Sequence, residues 1–327
     1  MTWLLTGGAG YIGGHVVRAM LEDGSAVVVL DDLSTGLRQR VPRSVPFVQA
    51  DVRDRALLCD TLREHRVTGV IHLAAKKSVP ESVTRPIHYY EENVGGFVAL
   101  LAAMQDSAVN RLVLSSSAAV LGTPPDGPVD EDAVARPENP YGRTKLICEW
   151  LLADAAVAHG IQFVSLRYFN VAGAAEARYG DVGESNLIPM VFRALSSGVR
   201  PKVFGGDWPT PDGSCVRDFI HVADLALAHV AAARRLDRTA EADEGDCRLT
   251  LNVGRGEGVS VRQVMATVAE VTGREIAYEL VGRRPGDPAS VVGTADRIAA
   301  ELSWKAERDL HDMVRSAWEG WADHGAA

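Results

Sequence analysis

The sequence predicts an α/β fold, a doubly wound parallel sheet followed by a smaller C-terminal α/β domain. Over residues 1–170, short apolar runs alternate with longer segments whose apolar residues have helical spacing. This alternation is typical of parallel strands covered by helices on both faces. From about residue 171 it stops, and the chain is rich in Gly, Pro and Asp up to residue 218. The change predicts a second region that is built differently.

The predicted strands are short runs, rich in Leu or β-branched residues and bounded by Gly, Asp or Ser. They span residues 2–6, 26–30, 46–49, 69–72, 111–115 and 162–167. Helical spacing between them predicts helices over 16–22, 54–64, 86–104 and 141–158. Later in the chain we expect helices over 188–196, 261–272 and 310–321, a return to the main sheet over 217–236 and 249–253, and an exposed loop over 237–246.

The composition excludes several classes of protein. The chain of 327 residues has 34 Lys and Arg against 43 Asp and Glu, and this net charge of −9 disfavours nucleic acid and anionic membranes as partners. No apolar run reaches the roughly 18 residues of a membrane span, and the start lacks the basic segment of a signal peptide. The four cysteines are far apart, so neither a metal site nor a disulfide framework is expected. We expect a cytoplasmic protein.

A glycine-rich loop separates the first predicted strand from the first predicted helix. In Gly7-Gly8-Ala9-Gly10-Tyr11-Ile12-Gly13, the GxxGxxG pattern allows a tight turn and a close approach of the backbone to a diphosphate. The free N–H groups of the helix then face the phosphates. Asp31 ends the second strand, where a carboxylate can bind an adenosine ribose and repel a 2′-phosphate. These residues predict NAD rather than NADP as the cofactor.

Asp51 and Val52 follow the third predicted strand, where the adenine of a dinucleotide could lie. A turn-forming aspartate is the alternative interpretation of Asp51. The glycine loop alone could likewise be a plain strand-to-helix turn. Its position before Asp31 favours the cofactor site.

A Tyr-x-x-x-Lys pair is the predicted acid–base catalyst. Asn139 and Pro140 are typical of a helix N-cap and first position, so Tyr141 and Lys145 lie one turn apart on one face. A free tyrosine has a pKa of about 10, and a neighbouring ammonium group lowers it by stabilising the phenolate. We therefore expect Tyr141 to act as general acid and base. An exposed pair without a catalytic role is the alternative.

Three serines, residues 115–117, end the fifth predicted strand. In open parallel sheets, ligands bind beyond the carboxyl ends of the strands, so a hydroxyl here can reach a substrate. Ser117 is the predicted hydrogen-bonding partner of the reacting oxygen, and an ordinary turn serine is the alternative.

In this order, the glycine loop, the acidic residue, the Ser-Ser-Ser-Ala-Ala-Val run and the Tyr-x-x-x-Lys pair resemble the extended short-chain dehydrogenase/reductase family, whose first domain is a Rossmann fold. Three further segments, LRYFN at 166–170, DGSCVRDFIHV at 212–222 and RRPGD at 283–287, resemble its UDP-glucose 4-epimerases. The resemblance covers nearly the whole chain. It implies an NAD-binding domain over 1–170, with the chain returning at about 217–253, and a mainly nucleotide-sugar-binding domain over 171–327.

The resemblance also implies roles for individual residues. Tyr141 takes the proton of the sugar 4-hydroxyl while hydride moves from C4 to NAD, Lys145 tunes Tyr141 and holds the nicotinamide ribose, and Ser117 binds the 4-oxygen. The implied cofactor contacts are Gly7, Gly10, Tyr11, Ile12, Gly13, Asp31, Asp51, Val52, Lys77, Asn93, Tyr141, Lys145 and Tyr168. Packing in the core of a helix is the alternative for Asn93. The implied contacts with the UDP-hexose are Ser117, Asn170, Asn186, Leu187, Phe204, Arg217, Val291, Arg284 and Asp287.

Members of the family keep NAD bound through turnover while the 4-keto sugar rotates, and they form homodimers through helices like those at 86–104 and 141–158. Three positions depart from the family pattern. Leu121 stands where a tyrosine is frequent, and no consequence follows from this exchange. Gly14 stands where a serine is frequent, which removes one phosphate contact. Val291 stands where a large aromatic residue restricts the sugar pocket, which implies that N-acetylated UDP-hexoses also fit.

The residues next to Ser117 and the Tyr-x-x-x-Lys pair bear on the other activities of the same family. A dehydratase needs an acid–base pair of the Asp-Glu type where this chain has Ala118 and Ala119. A decarboxylase needs a cationic site for a hexuronate, for which no motif stands out, while a uronate 4-epimerase stays open. A non-catalytic protein that binds NAD or a nucleotide sugar is the alternative of another class, and the presence of both Tyr141 and Lys145 argues against it.

Overall fold

The computed structural model describes residues 1–124, 127–181, 183, 186–242, 247–284 and 287–323. Its strands are β1 (Thr2–Thr6), β2 (Ala26–Asp31), β3 (Phe47–Gln49), β4 (Gly69–His72), β5 (Arg111–Ser115), β6 (Gln162–Tyr168), β7 (Asn170–Ala172), β8 (Lys202–Phe204), β9 (Val216–His221), β10 (Arg248–Val253), β11 (Gly258–Ser260), β12 (Glu279–Val281) and β13 (Ser290–Val291). Its helices are α1 (Tyr11–Glu22), α2 (Arg55–Glu64), α3 (Val79–Thr84), α4 (Pro86–Tyr89), α5 (Gly96–Asp106), α6 (Pro140–His159), α7 (Leu187–Ser196), α8 (Val222–Ala242), α9 (Val261–Thr272), α10 (Asp296–Leu302) and α11 (Leu310–Asp323). No helix in these ranges is both long and apolar enough to cross a bilayer.

Seven parallel strands form the main sheet in the order β10-β6-β5-β4-β1-β2-β3. The chain runs outward from β1 to β3 and then crosses back to β4, so its direction reverses between β1 and β4. Both faces are covered, which is why the central strands β1, β4 and β5 are buried along nearly their whole length. Trp3 and Leu5 pack with α1 and α8, whereas Leu4 packs with α2, α5 and α6. The predicted doubly wound sheet is confirmed.

The predicted helix over 86–104 is interrupted. A π-helical turn over Tyr90–Gly95 joins α4 to α5. Asn93, inside this turn, is buried and hydrogen-bonded to the backbone of Lys76. The apolar spacing does not reveal the wider turn, because the turn accompanies a polar contact with a residue far away in sequence.

Two expectations for the later part of the chain were wrong. β9 pairs with β7, β11 and β13 in a smaller sheet, so the main sheet is rejoined only by α8 and β10. α8 extends to Ala242, through much of the predicted loop, because Asp237 accepts hydrogen bonds from Arg111 and Trp3 and holds this part of the helix against the sheet. The rest of that predicted loop, 243–246, lies outside the described residues.

The second region begins at the carboxyl edge of the main sheet, since β7 starts two residues after β6 ends. Its helices α7, α9 and α11 match the predicted helices and enclose an apolar core. Phe192 packs against Trp318 and Trp321 in this core. β8 pairs with β12 beside it.

Candidate active site

The loop between β1 and α1 requires its glycines for steric reasons. Gly7 has φ +74°, and a Cβ there would lie 2.6 Å from the backbone N of Ala74. A Cβ on Gly13 would lie 2.1 Å from the carbonyl oxygen of Gly7. Gly10 is the N-cap of α1 and no side chain caps the helix, so its first N–H groups stay available to a ligand. This geometry suits a phosphate group.

Asp31 ends β2 and faces the same loop. Its Oδ2 accepts a hydrogen bond from Ala9 N at 2.9 Å, and its Oδ1 accepts one from Leu33 N at 2.8 Å. Burial raises the pKa of Asp31, and these two backbone hydrogen bonds oppose the shift. The carboxylate is therefore held in one orientation, with lone pairs left for a diol.

One cavity of about 510 Å³ brings most of the predicted cofactor residues together. Its lining contains Gly7, Gly10, Tyr11, Ile12, Gly13, Asp31, Asp51, Val52, Lys77, Tyr141, Lys145 and Tyr168. It also contains residues 34–37, Arg40 and Asp181, which the sequence did not single out. Backbone N–H groups, a carboxylate and an ammonium group are the donors and acceptors that a dinucleotide needs, so these residues fit NAD.

Asn93 lies behind the wall of this cavity. Its Oδ1 accepts a hydrogen bond from Lys76 N at 2.8 Å, and its Nδ2 donates to Lys76 O and to Thr144 Oγ1, both at 3.0 Å. Asn93 therefore ties the residue 76–77 segment to α6. A direct contact between Asn93 and the cofactor stays a prediction.

The start of α6 carries Tyr141 and Lys145. Asn139 accepts a hydrogen bond from Gly142 N at 2.9 Å and Pro140 opens the helix, so the predicted N-cap is confirmed. Tyr141 and Lys145 are both buried. The Lys145 Nζ donates to the carbonyl of Ser115 at 2.8 Å, which ties α6 to the end of β5.

The pKa of Tyr141 shifts opposite to the predicted direction. Burial raises it above the ordinary value of 10.0, and the Ser117 side chain opposes the rise. Burial also lowers the pKa of Lys145, against the charges of Cys148 and Glu149. In the protein without a ligand, the predicted lowering of the Tyr141 pKa by Lys145 is therefore wrong, because desolvation of the phenolate is the dominant effect. A positive charge on a ligand in the cavity would favour the phenolate.

Ser117 approaches Tyr141 because two segments of backbone pack closely. It precedes the 3₁₀ turn Ala118–Val120 and accepts a hydrogen bond from Ala119 N at 3.1 Å. Gly142 packs against that turn, and a Cβ on Gly142 would lie 2.4 Å from the carbonyl oxygen of Ala119. A larger residue at 142 would displace α6 from the turn, so Gly142 sets the spacing between Ser117 and Tyr141.

The predicted nucleotide-sugar residues lie outside the lining of this cavity. Arg284 stacks over the Phe204 ring at 4.1 Å, and its Nε lies 4.0 Å from the Asp287 carboxylate. Arg217 lies near them, since Arg217, Asp287 and Arg284 all act on the pKa of the Cys215 thiol, which burial raises. Pro285 and Gly286 of the predicted motif lie outside the described residues.

Asn170 and Asn186 both lie in the predicted nucleotide-sugar set, and one of them reaches the cofactor cavity. Asn170 opens β7 and is exposed. Asn186 precedes α7, whose first residue is Leu187, and its Nδ2 donates to Asp181 Oδ2 at 2.5 Å. Asp181 lines the cofactor cavity, so this contact brings Asn186 to its edge.

Val291 pairs with Arg217 across β13 and β9. It belongs to a small apolar cluster with Ala118 and Phe169. Ala118 directly follows Ser117, so Val291 lies on the side of the site that the sugar is predicted to occupy.

Sequence reasoning missed a buried charge network beneath the active site. Glu149 accepts two hydrogen bonds from Arg167, at 2.9 and 2.7 Å, and one from Ser116 Oγ at 2.5 Å. Arg167 also donates to the carbonyl of Glu131 at 3.2 Å. The only sequence signal was the i, i+4 spacing of Lys145 and Glu149, which by itself indicates an ordinary helical pair.

Comparisons with known proteins show which family this chain resembles in sequence and in structure. The sequence pattern of the NAD dependent epimerase/dehydratase family matches residues 3–254. The UDP-glucose 4-epimerase of Azospirillum brasilense is 46% identical over 326 residues, covering 97% of this chain and 91% of that protein. The crystal structure of the Stenotrophomonas maltophila UDP-glucose-4-epimerase with bound NAD and formylated UDP-arabinopyranose superposes with a TM-score of 0.93, at 40% identity over 99% of each chain. The Brucella ovis UDP-glucose 4-epimerase in complex with NAD gives 0.91, at 39% identity over 98% of each chain.

Proposed function

This chain belongs to the NAD dependent epimerase/dehydratase family, and from that premise we propose that it catalyses the 4-epimerisation of UDP-hexoses. Membership confirms the resemblance expected from the sequence, together with the Rossmann-type sheet and NAD as the cofactor. The proposed substrates are UDP-glucose and UDP-galactose, with the N-acetylated forms as a second pair.

One observation carries this proposal: residues suited to bind the cofactor and residues suited to transfer a proton line the same cavity. The glycine loop and Asp31 line it at the carboxyl edge of β1 and β2, and Tyr141 and Lys145 line it from α6. A cofactor held by the loop therefore shares its cavity with a side chain that can move a proton.

NAD held by the glycine loop and Asp31 would supply the hydride acceptor and donor for C4 of the sugar. Tyr141 takes the proton of the 4-hydroxyl as the hydride leaves, and gives it back to the 4-oxygen as the hydride returns. Ser117 hydrogen-bonds the same oxygen and keeps it within reach of the phenol. Lys145, oriented by the Ser115 carbonyl, presents an ammonium group to the nicotinamide ribose and to Tyr141.

Epimerisation also requires the hexose to turn while the nucleotide stays bound, which uses binding energy remote from the reacting carbon. We assign the nucleotide to the second region, where Arg217 and Arg284 can neutralise a diphosphate and Asp287 can bind a ribose. In this assignment residues 1–170, together with α8 and β10, which rejoin the main sheet, hold NAD. The rest of residues 171–327, including β9 with Arg217, mainly holds the nucleotide sugar. Asn170, Asn186, Leu187 and Phe204 complete the proposed nucleotide site.

Dehydration is disfavoured because Ala118 and Ala119 follow Ser117 in the 3₁₀ turn. Neither side chain can transfer a proton, and elimination of water needs a second acid and base at these positions. A uronate 4-epimerase would differ only in the substituent on its sugar. Assays with UDP-galactose and with UDP-galacturonate distinguish the two activities.

We also propose a homodimer formed through α5 and α6. Large apolar side chains are exposed along these elements and the adjoining α4: Ile87, Val98, Trp150 and Val157. Trp150 and Val157 are seven residues apart, so they share one face of α6. Sedimentation velocity tests this, since Trp150→Arg should shift the protein from dimer to monomer.

We also propose that the protein is cytoplasmic. All four cysteines are free thiols, which is typical of a reducing compartment.

The deciding experiment incubates the purified protein with UDP-galactose, without added NAD, and separates the nucleotide sugars by chromatography. We expect equilibration with UDP-glucose, carried out with NAD that copurifies. Tyr141→Phe should abolish turnover while retaining the bound NAD, because only the proton-transferring hydroxyl is removed.

Tyr278→Phe is the matched control, since Tyr278 is partly buried against the core of the second region and does not line the cavity. It should leave turnover unchanged. If NAD is bound but UDP-galactose, its N-acetyl form and UDP-galacturonate all remain unconverted, the protein is a binding protein and the proposal is wrong.

A further inference from the structure

Arg40 is a buried cation in the wall of the cofactor cavity. It ends the 3₁₀ turn Arg38–Arg40, is 4% exposed and lines the cavity. Its Nη2 donates to the carbonyl of Gly180 at 2.8 Å. Its Nε is also buried and has no hydrogen-bond partner among the described residues. The guanidinium thus has donor capacity that this part of the protein does not use.

The charge of Arg40 is not balanced by a direct ion pair within the described ranges. The Asp181 carboxylate acts on it only at a distance, and burial lowers the pKa of the guanidinium. Asp181 itself is engaged by Asn186 and by Gly183 N. A buried cation in this situation destabilises the protein unless an anion meets it.

Gly14 creates the space in which Arg40 lies. A Cβ on Gly14 would be 3.1 Å from the Cβ of Arg40 and 3.5 Å from its Cδ, so the arginine side chain runs along the first turns of α1. Gly10, Tyr11, Ile12 and Gly13 at the start of α1 line the same cavity. The free N–H groups of this helix and the unused guanidinium donor are two independent features that favour one anionic ligand.

We propose that Arg40 binds the diphosphate of NAD, next to the N-terminus of α1 and in the space left open by Gly14. The inference rests on the NAD cofactor but not on the sugar substrate. Arg40 would donate a charge-assisted hydrogen bond from its guanidinium to a phosphate oxygen while Nη2 keeps its bond to Gly180. Because residue 14 has no side chain, Arg40 has room to contact the phosphate. Its charged guanidinium would bind a phosphate more strongly than the hydroxyl of a serine at position 14.

A purely structural role is the competing explanation. In that case Arg40 only joins the residue 38–40 turn to the carbonyl of Gly180, and its charge does not matter. The two explanations differ for Arg40→Gln, which keeps a donor for the Gly180 carbonyl but carries no charge. This variant should release NAD at the original rate if the role is only structural, and faster if the charge binds the diphosphate.

The test measures how fast bound NAD leaves the purified holoprotein, by following its replacement with excess etheno-NAD in fluorescence. Arg40→Met should release NAD roughly 10- to 100-fold faster than the unmodified chain, the loss expected for one charge-assisted hydrogen bond. Arg40→Lys keeps a cation and should recover part of the slow release. Less NAD per subunit should also copurify with Arg40→Met.

Arg38→Met is the matched control, because Arg38 has the same charge in the same turn but is exposed and stacks on Phe47. It should release NAD at the original rate. An unchanged rate in Arg40→Met, or equal rates in Arg40→Lys and Arg40→Met, would overturn the proposal. If Arg40→Met fails to fold, the comparison of Arg40→Lys with Arg38→Met decides, since a shorter cation must release NAD faster than the control. The NAD release rate is measured independently of epimerase turnover. The test can therefore be interpreted even if the proposed epimerase function is wrong.

Discussion

Glu149 and Arg167 form a two-bond ion pair that is buried beneath the active site, with N–O distances of 2.9 and 2.7 Å. Glu149 lies four residues after Lys145 on α6, and Arg167 lies on β6. Because Ser116 also donates to Glu149, the pair joins α6 to the end of β5, next to Ser117. It holds the two elements that carry the proposed catalytic residues.

Glu149→Gln should therefore impair both stability and turnover. Breaking one partner of a buried pair leaves an uncompensated charge and costs about 3–5 kcal/mol of unfolding free energy. The displaced α6 should lower kcat roughly 10- to 100-fold with little change in KM, since the nucleotide is bound elsewhere. Urea unfolding and steady-state kinetics measure the two effects. The double variant Glu149→Gln/Arg167→Met should regain stability, and an additive loss instead would contradict this account.

Gly142→Ala should separate the catalytic residues without emptying the cofactor cavity. The new Cβ would lie 2.4 Å from the Ala119 carbonyl oxygen, so the start of α6 must move. We expect kcat to fall roughly 100-fold, the cost of a displacement of about 1 Å, while NAD still copurifies. Arg143→Ala, at the exposed neighbouring position, is the control. Unchanged kcat in Gly142→Ala would mean that the turn at 118–120 adapts.

His229 should make the protein less stable as the pH falls. Burial lowers its pKa from 6.5 to about 4, and its Nδ1–H donates to the carbonyl of Leu225, which leaves Nε2 to accept from Ser115. Between pH 6.5 and 4, this histidine is protonated in the unfolded chain but stays neutral in the native state. The unfolding free energy should therefore fall by about 3 kcal/mol through this one group as the pH is lowered.

Urea unfolding at pH 7.5, 6 and 5 measures this effect against His229→Gln. The variant should show a shallower decline, because the amide can bind Ser115 without titrating. His15, His72 and His221, whose pKa values burial also lowers, act in the same direction in both proteins, and they cancel in the comparison. Asp218, whose pKa burial raises to about 6, acts in the opposite direction and cancels likewise. Parallel declines would contradict the assignment.

Val291 should determine which sugars are accepted. Its small side chain packs beside Ala118 and Phe169, next to the proposed position of the sugar. We expect the chain to epimerise UDP-N-acetylglucosamine as well as UDP-glucose, and Val291→Tyr should lower turnover of the N-acetyl substrate roughly 10-fold or more. Turnover of UDP-glucose by the same variant is the control for folding. Full activity on UDP-glucose with none on the N-acetyl form, in the unmodified chain, would refute the prediction.

Much of the fold follows from local pattern. The strands β1, β4 and β5 have the predicted bounds, because their apolar runs are short and end at turn residues. The interruption of the 86–104 helix and the pairing of β9 in a smaller sheet could not be predicted in this way. Both depend on contacts with residues far away in sequence, and an apolar run has the same pattern whichever sheet it joins.

The glycine loop, the capped start of α6 and the one-turn spacing of Tyr141 and Lys145 can be predicted before the fold is known, because each depends on backbone geometry within a few residues. The direction of the Tyr141 pKa shift follows from burial, which exists only in the folded chain. Folding alone also reveals the buried guanidinium of Arg40, which forms no ion pair with a carboxylate of the described residues, and the ion pair of Glu149 with Arg167. Burial and charge pairing are set by segments that meet only when the chain is folded, so the residue types involved carry no local signal.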